Sequence, residues 1–293
     1  MTGHRRAIYI FILLLALGAA AGCNKNVSVP EPAPQPDYSQ LAADADQEAA
    51  VTVWHEYLKS AAGETLRPFR LEGSLRYTPP KGNGNRLSFY LWSNAEKPYR
   101  LDASAGFGSL VVGVRESDRE FLAYVPEEKK AYAHKGWETP RFALPGLGEP
   151  LPVSIGDMAA LLEGRYERLF DREYALVKAV NLDDYPELKK EMGRSGRTSS
   201  LYAYTLLRGA LAGELLINSS GQPVFWKGVD GWSMVMEPEK GSHKLRKLTI
   251  THSQGHKAII LVKEREYPAP FTDAQLALLI PGGTDVLPVK RMK

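Results

Sequence analysis

Leu87-Ser-Phe-Tyr-Leu-Trp-Ser-Asn-Ala-Glu-Lys-Pro-Tyr-Arg-Leu-Asp102, continued by Ala103-Ser-Ala-Gly-Phe-Gly-Ser-Leu110, decides how this chain folds. Its side chains alternate with a period of two, the repeat of an extended strand with one face buried. Arg86–Ser93 and Tyr99–Ala103 read as strands, and Ser109–Arg115 follows after a glycine-flanked loop. The same period extends outward in both directions. Upstream, Leu66–Thr78 sets Phe69, Leu71, Ser74 and Tyr77 among polar residues, and Pro79-Pro-Lys-Gly-Asn-Gly-Asn85 is a turn cluster. Downstream, Glu120–Val125 and Lys130–Lys135 flank the turn Pro126-Glu-Glu-Lys129. Closely spaced strands joined by short turns form an antiparallel meander.

Residues 136–152 are a Pro/Gly-rich connection. Ser154 is a good N-cap, and Asp157 three residues later approximates a capping box, so Ile155–Leu162 is predicted to be a short helix ending at Gly164. Strand signals resume at Tyr174–Val180, Ser200–Leu207, Gly213–Asn218, Val224–Gly228, Trp232–Met236, Lys247–His252 and Lys257–Lys263. Residues 165–210 include a polar stretch, 181–198, that reads as an exposed excursion. At the other end, Leu41, Ala45, Ala49, Val53, Tyr57 and Leu58 fall on one helical stripe within residues 40–61. The tally is about twelve strands, one long N-terminal helix and one short central helix. A long sheet curling around a helix buries both apolar surfaces.

The first residues carry a different pattern. Arg5 and Arg6 precede an apolar run from Ala7 to Ala21, and Gly22-Cys23 closes it. Charge, apolar run and small residues in that order make a signal peptide. Ala20-Ala21-Gly22-Cys23 resembles the bacterial lipobox, with Ala where Leu is common. Cys23 is the chain's only cysteine. It cannot form an internal disulfide, and a free thiol is a liability outside the cytoplasm. Lipidation of Cys23 answers both points and anchors the chain in a membrane. Asn24, rather than Asp, follows the cysteine, a pattern that resembles outer-membrane lipoproteins facing the periplasm. Pro30, Pro32, Pro34 and Pro36 then forbid helix and favour an extended tether. The expected organisation is signal peptide 1–22, lipidated cysteine and tether 23–39, and a folded domain 40–293.

Removing residues 1–22 leaves 35 basic against 34 acidic residues. Such a balance gives no field for nucleic acid. No cofactor motif stands out. His252 and His256 are four apart, but Ser-Gln-Gly255 between them indicates a turn, and nothing completes a metal set. Ser154 and Ser109 lack a nucleophile elbow, and Asp183 and Asp184 are adjacent rather than opposed, so no catalytic constellation is found. The chain is not expected to be an enzyme.

The quoted stretch resembles the LolA/LolB superfamily, closest to its LolB branch of outer-membrane lipoprotein receptors. The likeness lies in a strand with a central Trp (Trp92), a Tyr-Arg-Leu strand (99–101) and the Gly-flanked loop around Phe107. Leu151-Pro-Val-Ser-Ile155 with Leu161-Leu-Glu-Gly164 is similar to the family's central helix, although Ala160 or Leu161 stands where Trp is usual. Leu279-Ile-Pro-Gly-Gly-Thr-Asp-Val286 resembles its closing segment, and the chain is longer than LolB around 165–210. The resemblance implies a fold of mainly β with α, in which one curved antiparallel sheet, an incomplete β-barrel, wraps around a helical lid. It implies an apolar cavity for acyl chains, a LolA-like carrier and lipoprotein acyl chains as partners, and action as a monomer. Phe107, between two glycines, is then the membrane or acyl-chain wedge, or else a plug that folds back. Candidate cavity-lining residues are Phe89, Leu91, Trp92, Leu101, Leu110, Val112 and Phe121, divided between lining and plain core. A scaffold gripping a peptide segment is the alternative, and an envelope hydrolase is disfavoured.

Overall fold

The period-two stretches become strands, and their registers join them into one sheet. The computed structural model describes residues 45–62, 66–106, 108–136, 152–192 and 200–289. The chain divides into two compact units, Met1–Ala43 and Asp44–Lys293, and every described element belongs to the second. Cys23, the signal peptide and the tether lie outside the described residues, as does Phe107.

The strands are β1 (Phe69–Thr78), β2 (Asn85–Asn94), β3 (Glu96–Ala105), β4 (Ser109–Glu116), β5 (Glu120–Val125), β6 (Lys130–Lys135) and β7 (Leu176–Val180). They continue with β8 (Leu201–Leu206), β9 (Gly213–Asn218), β10 (Pro223–Gly228), β11 (Trp232–Pro238), β12 (Leu245–His252), β13 (Lys257–Glu266) and β14 (Asp285–Pro288). Helices are α1 (Ala45–Ala62), α2 (Ile155–Leu162), α3 (Pro186–Met192) and α4 (Asp273–Leu276). None of the described helices is long and apolar enough to cross a membrane.

The sheet runs β14-β6-β5-β4-β3-β2-β1-β13-β12-β11-β10-β9-β8-β7. Its centre is the pairing of β1 with both β2 and β13, which joins two meanders into one open sheet. Every pairing is antiparallel except that of β14 with β6. The expected open antiparallel sheet is found, with one parallel pairing added at its edge. The cause is the C-terminal segment, which crosses the sheet before pairing, so it arrives pointing the same way as β6.

The alternation then sorts the residues. Register places Phe69, Leu71, Phe89, Leu91, Leu101, Val112, Val114 and Phe121 on one face, with Leu215, Trp226, Met234, Ile250 and Ile260 continuing it. These residues form a single buried core with α1 and α2. Gly73 lies in this face because a side chain there would strike the Leu261 carbonyl and the Phe89 ring. The helix α2 touches both β3 and β12, four strand positions apart. Flat strands at that separation stand ~19 Å apart, about twice the width of a helix, so the sheet must curl. This inner face is the concave one.

The outer face has two covers. The excursion at 181–192 folds back as a 3₁₀ turn, Leu182–Asp184, and α3. Tyr185 and Leu188 pack there on Leu216, Phe225 and Val235 to form a second core. Glu191 clamps α3 to the sheet through Lys247 (2.9 Å) and Lys257 (2.6 Å). On the other half, the segment through α4 crosses β2, β3 and β4. The Ala277 carbonyl accepts from Arg100 (2.7 Å), and Asn94 exchanges two hydrogen bonds with the Phe271 backbone.

Candidate functional site: an apolar trough and its central helix

Among the described residues, apolar side chains from both halves of the sheet converge on the concave face. Phe89, Leu91, Leu101, Val112 and Phe121 all point into it and are buried. Trp92 does not. It occupies the opposite phase of β2, on the outer face, and its indole N–H donates to the Gln275 carbonyl at 3.2 Å. Alternation forbids Leu91 and Trp92 from sharing a face, so Trp92 leaves the set of lining candidates. Leu110 leaves it as well. A bulge at Ala103/Ser104 pairs Leu110 with Ser104, in the phase of Arg100 and Asp102, and it is half-buried there.

The trough is filled at its centre by α2. The capping box forms as its sequence indicates: Ser154 Oγ accepts from the Asp157 N–H (3.0 Å), and the Asp157 carboxylate accepts from the Ser154 N–H (3.1 Å). Gly164 ends the helix at φ +76°, where a Cβ would meet the His243 carbonyl at 2.9 Å. Seven of the eight helical residues are buried, Asp157 being the exception. Such a helix presents no polar face and cannot sit on a surface.

Polar groups hold α2 at its ends. At the N-terminus, Glu116 accepts from the Gly156 N–H (3.1 Å) and faces Lys97 at 3.4 Å, although it is almost wholly buried. A carboxylate at this end also complements the helix dipole. Arg168 adds contacts to Asp157 (3.7 Å) and to the Tyr99 hydroxyl (3.0 Å). At the C-terminus, Arg265 donates to the Leu162 carbonyl (3.1 Å), to Glu163 and to Glu239. Burial works against the Arg265 charge, but Glu163 and Glu239 outweigh it and hold its pKa above the ordinary value. Tyr166 is wholly buried and donates to the His243 carbonyl (2.6 Å), and burial drives its pKa far up.

Sequence reasoning missed these clamps, though one signal was there. Glu116 continues the phase of Val112 and Val114, so period two already turns it inward. Arg265 had no such signal. The bulge at Glu72/Gly73 shifts the register and sets Arg265 opposite Leu71.

The far half of the trough is closed by α1. Trp54 packs on Tyr204 and Tyr174 with ring centroids 4.8 and 5.0 Å away, and the Tyr204 hydroxyl donates to the Ala50 carbonyl at 2.6 Å. Burial pushes the Tyr57 and Tyr204 hydroxyls above the ordinary tyrosine range.

No protein-family model matches the sequence, and no curated protein matches it. Solved structures do. A LolA superfamily protein from Nitrosomonas europaea is 8% identical, with 80% of this chain and 99% of that chain covered and a TM-score of 0.45. A DUF1329 family protein from Desulfovibrio piger is 10% identical over 80% of this chain and 98% of its own, with a TM-score of 0.49. An outer membrane lipoprotein-sorting protein domain from Vibrio parahaemolyticus is 7% identical, over 78% and 94%, with a TM-score of 0.42. These likenesses assign no ligand to the trough.

Other candidates resolve differently. His252 and His256 flank the turn of the β12–β13 hairpin. His252 is bound to the Asp230 carbonyl (3.2 Å) and the Gln254 N–H (3.2 Å), and His256 to the Tyr77 hydroxyl (2.7 Å). Among the described residues, no three His, Cys, Asp or Glu stand together as a metal set would require. Gly106 and Gly108, on either side of Phe107, have φ of +56° and +94°, and nothing lies within 4 Å of where a Cβ would stand on either. An outer-face cleft of about 330 Å³ is lined by Arg70, Tyr90, Trp92, Phe271 and Gln275.

Proposed function

We propose that this chain is an envelope lipoprotein that binds acyl chains, of lipids or of other lipoproteins, in its concave trough and helps insert lipoproteins into the outer membrane. The supporting observation is the seating of α2. An apolar helix of eight residues fills the middle of an apolar trough and is held by polar clamps at its two ends. Displacing it would leave a groove lined by Phe89, Leu91, Leu101 and Val112, so α2 acts as a stand-in for the ligand. Each CH₂ taken out of water is worth ~0.8 kcal/mol, so an acyl chain of ordinary length repays a helix that must move.

The mechanism is transfer rather than covalent chemistry. An acyl chain passes from a soluble carrier of LolA type into the trough and then into the bilayer, with little apolar surface exposed at any stage. Lipid on Cys23 keeps the domain at the outer membrane, facing the periplasm, and Phe107 is the wedge that meets the bilayer. The chain works as a monomer, without cofactor or nucleic acid. A second reading has its own support: the described concave face is filled by the chain's own side chains and α2, as in a scaffold that grips a peptide segment by its sheet edge.

Native mass spectrometry of residues 24–293 separates the two. All described core lies within Asp44–Lys293, so this form keeps the whole fold while losing its own lipid. Stoichiometric lipid or lipopeptide on the protein supports acyl-chain binding. A bare mass after incubation with both ligands moves the assignment to the scaffold.

A further inference from the structure

The outer face holds a cleft that the trough does not use. Alternation sets Tyr90 and Trp92 of β2 side by side there, ~7 Å apart along the strand. The segment through α4 supplies a facing wall, Phe271 and Gln275. Three hydrogen bonds fix that wall. The Trp92 indole N–H donates to the Gln275 carbonyl (3.2 Å), and the Asn94 side chain donates to the Phe271 carbonyl (2.9 Å) and accepts from its N–H (2.7 Å). Arg70, the cross-strand partner of Trp92 on β1, completes the lining. At about 330 Å³, the cleft lies at the small end of ligand pockets, ~300–1,000 Å³.

The apolar residues lining it are all aromatic: Tyr90, Trp92 and Phe271. Arg100, from β3, covers one face of the Trp92 ring at 5.7 Å from its centroid. Arg100 takes no part in the lining, so the face of Trp92 toward Arg70 is the one turned to the cleft. The polar groups are chiefly donors. Gln275 spends its side-chain oxygen on the Thr272 N–H and hydroxyl, in the capping box of α4, and its NH₂ has no hydrogen-bond partner among the described residues. The Arg70 guanidinium lies 4.9 Å over the Tyr90 ring and 3.7 Å from Glu266, an ion pair too long for a hydrogen bond.

Charge selects among ligands. Glu266 offsets Arg70, and Glu72 stands opposite Tyr90 in the register, with Glu264 beyond it. An anion would face these carboxylates, and a cation would face Arg70. A neutral ligand meets neither cost. An acyl chain would cover the N–H groups of Arg70 and Gln275 without offering an acceptor, and each covered donor opposes binding. A pyranose ring satisfies both parts of the cleft. Its polarised C–H groups lie on the electron-rich face of an aromatic ring, and the hydroxyls around its edge accept from the donors.

We propose that the outer-face cleft binds a neutral saccharide of one or two pyranose rings, stacked on Trp92 and held at its hydroxyls by Arg70 and Gln275. Leu91 and Trp92 alternate to opposite faces of β2, so this site is separate from the trough and does not rest on the acyl-chain reading.

Isothermal titration calorimetry and saturation-transfer NMR of residues 24–293 with maltose, cellobiose and N,N′-diacetylchitobiose test it. At least one of the three is expected to bind saturably, with a dissociation constant on the order of 1 mM. Trp92→Leu keeps apolar bulk and removes the flat ring. Arg70→Met removes one donor, and Gln275→Glu removes the other while keeping an oxygen for the capping box. Each variant should weaken binding roughly tenfold. Arg70 and Gln275 are exposed, so their variants should keep the parent's urea midpoint, which separates lost contacts from lost folding. Absence of saturable binding by all three saccharides up to tens of millimolar overturns the proposal, as does binding that Trp92→Leu or Gln275→Glu leaves unchanged. Tighter binding of indole-3-acetate or phenyltrimethylammonium than of any saccharide also overturns it, because the cleft then selects a charged aromatic.

Discussion

Replacing Arg265 by Met removes the cation that caps the C-terminus of α2 and leaves Glu163 stranded. Both side chains are only 8% exposed. Arg265 donates to the Leu162 carbonyl (3.1 Å), the Leu245 carbonyl (2.9 Å), Glu239 (3.0 Å) and Glu163. After the change, Glu163 keeps the hydrogen bond from the Tyr267 hydroxyl at 3.3 Å. Breaking a buried pair by removing one partner costs about 3–5 kcal/mol, chiefly through the uncompensated charge. Most of that cost disappears when the stranded charge is also removed. Arg265→Met/Glu163→Gln is therefore expected to recover most of the loss, leaving the two carbonyl bonds as the remainder. Urea unfolding followed by tryptophan fluorescence measures both, since Trp54, Trp226 and Trp232 report from the core. A single variant that loses less than about 1 kcal/mol, or a double variant no more stable than the single, refutes the clamp as described. The same single variant loosens α2, so it should also take up lipid faster than the parent.

Three further outcomes follow from particular contacts. Gly113→Val places a side chain where even a Cβ would meet Leu278 Cδ1 at 2.9 Å, so Leu278 must shift and the packing of the segment through α4 on the outer face is loosened, and limited proteolysis should cut near residues 268–284 faster than in the parent. Glu191→Gln releases α3 from Lys247 and Lys257, at a cost of about 1–2 kcal/mol at neutral pH. Burial raises the Glu191 pKa, but the hydrogen bonds from Lys257 and Lys247 outweigh it and leave the pKa below the ordinary value. The stability it contributes is thus complete above the ordinary carboxylate pKa and is lost as pH falls through the depressed one, so the parent and Glu191→Gln should converge in urea midpoint in acid. Asp102 has the opposite sign: burial raises its pKa against the pull of Arg100, so its ionisation opposes folding as pH rises, and Asp102→Asn should flatten that part of the pH profile.

The sheet was legible because period two is a local signal. Each stretch read as a strand between Leu66 and Lys263 became one, and the capping box at Ser154 and Asp157 formed with both of its bonds. Face assignment followed the same rule where the count stayed regular, as at Phe89 and Leu91. It failed where a bulge intervened, since Leu110 changed face at Ala103/Ser104; a second bulge, at Glu72/Gly73, turns Arg265 inward just past the stretch read as a strand. Trp92 was grouped with its apolar neighbours by composition, and its phase placed it outside. Two elements gave almost no signal. β14 has four residues and ends in Pro288, and its parallel pairing depends on where the preceding segment crosses the sheet. α3 is polar, and it is a helix because Tyr185 and Leu188 find an apolar outer face that no local pattern announces. Cys23 and Phe107, proposed as lipid anchor and wedge, lie outside the described residues, and those proposals rest on the sequence.

The central claim is that an acyl chain takes the place of α2, and hydrogen–deuterium exchange of Ile155–Leu162 tests it most directly. Empty protein should protect these amides strongly, as buried core does. In protein loaded with lipid, they should exchange faster, while those of α1 over Ala50–Tyr57 stay as they were. Protein shown by mass to carry lipid, yet with the α2 amides as protected as before, would contradict the account.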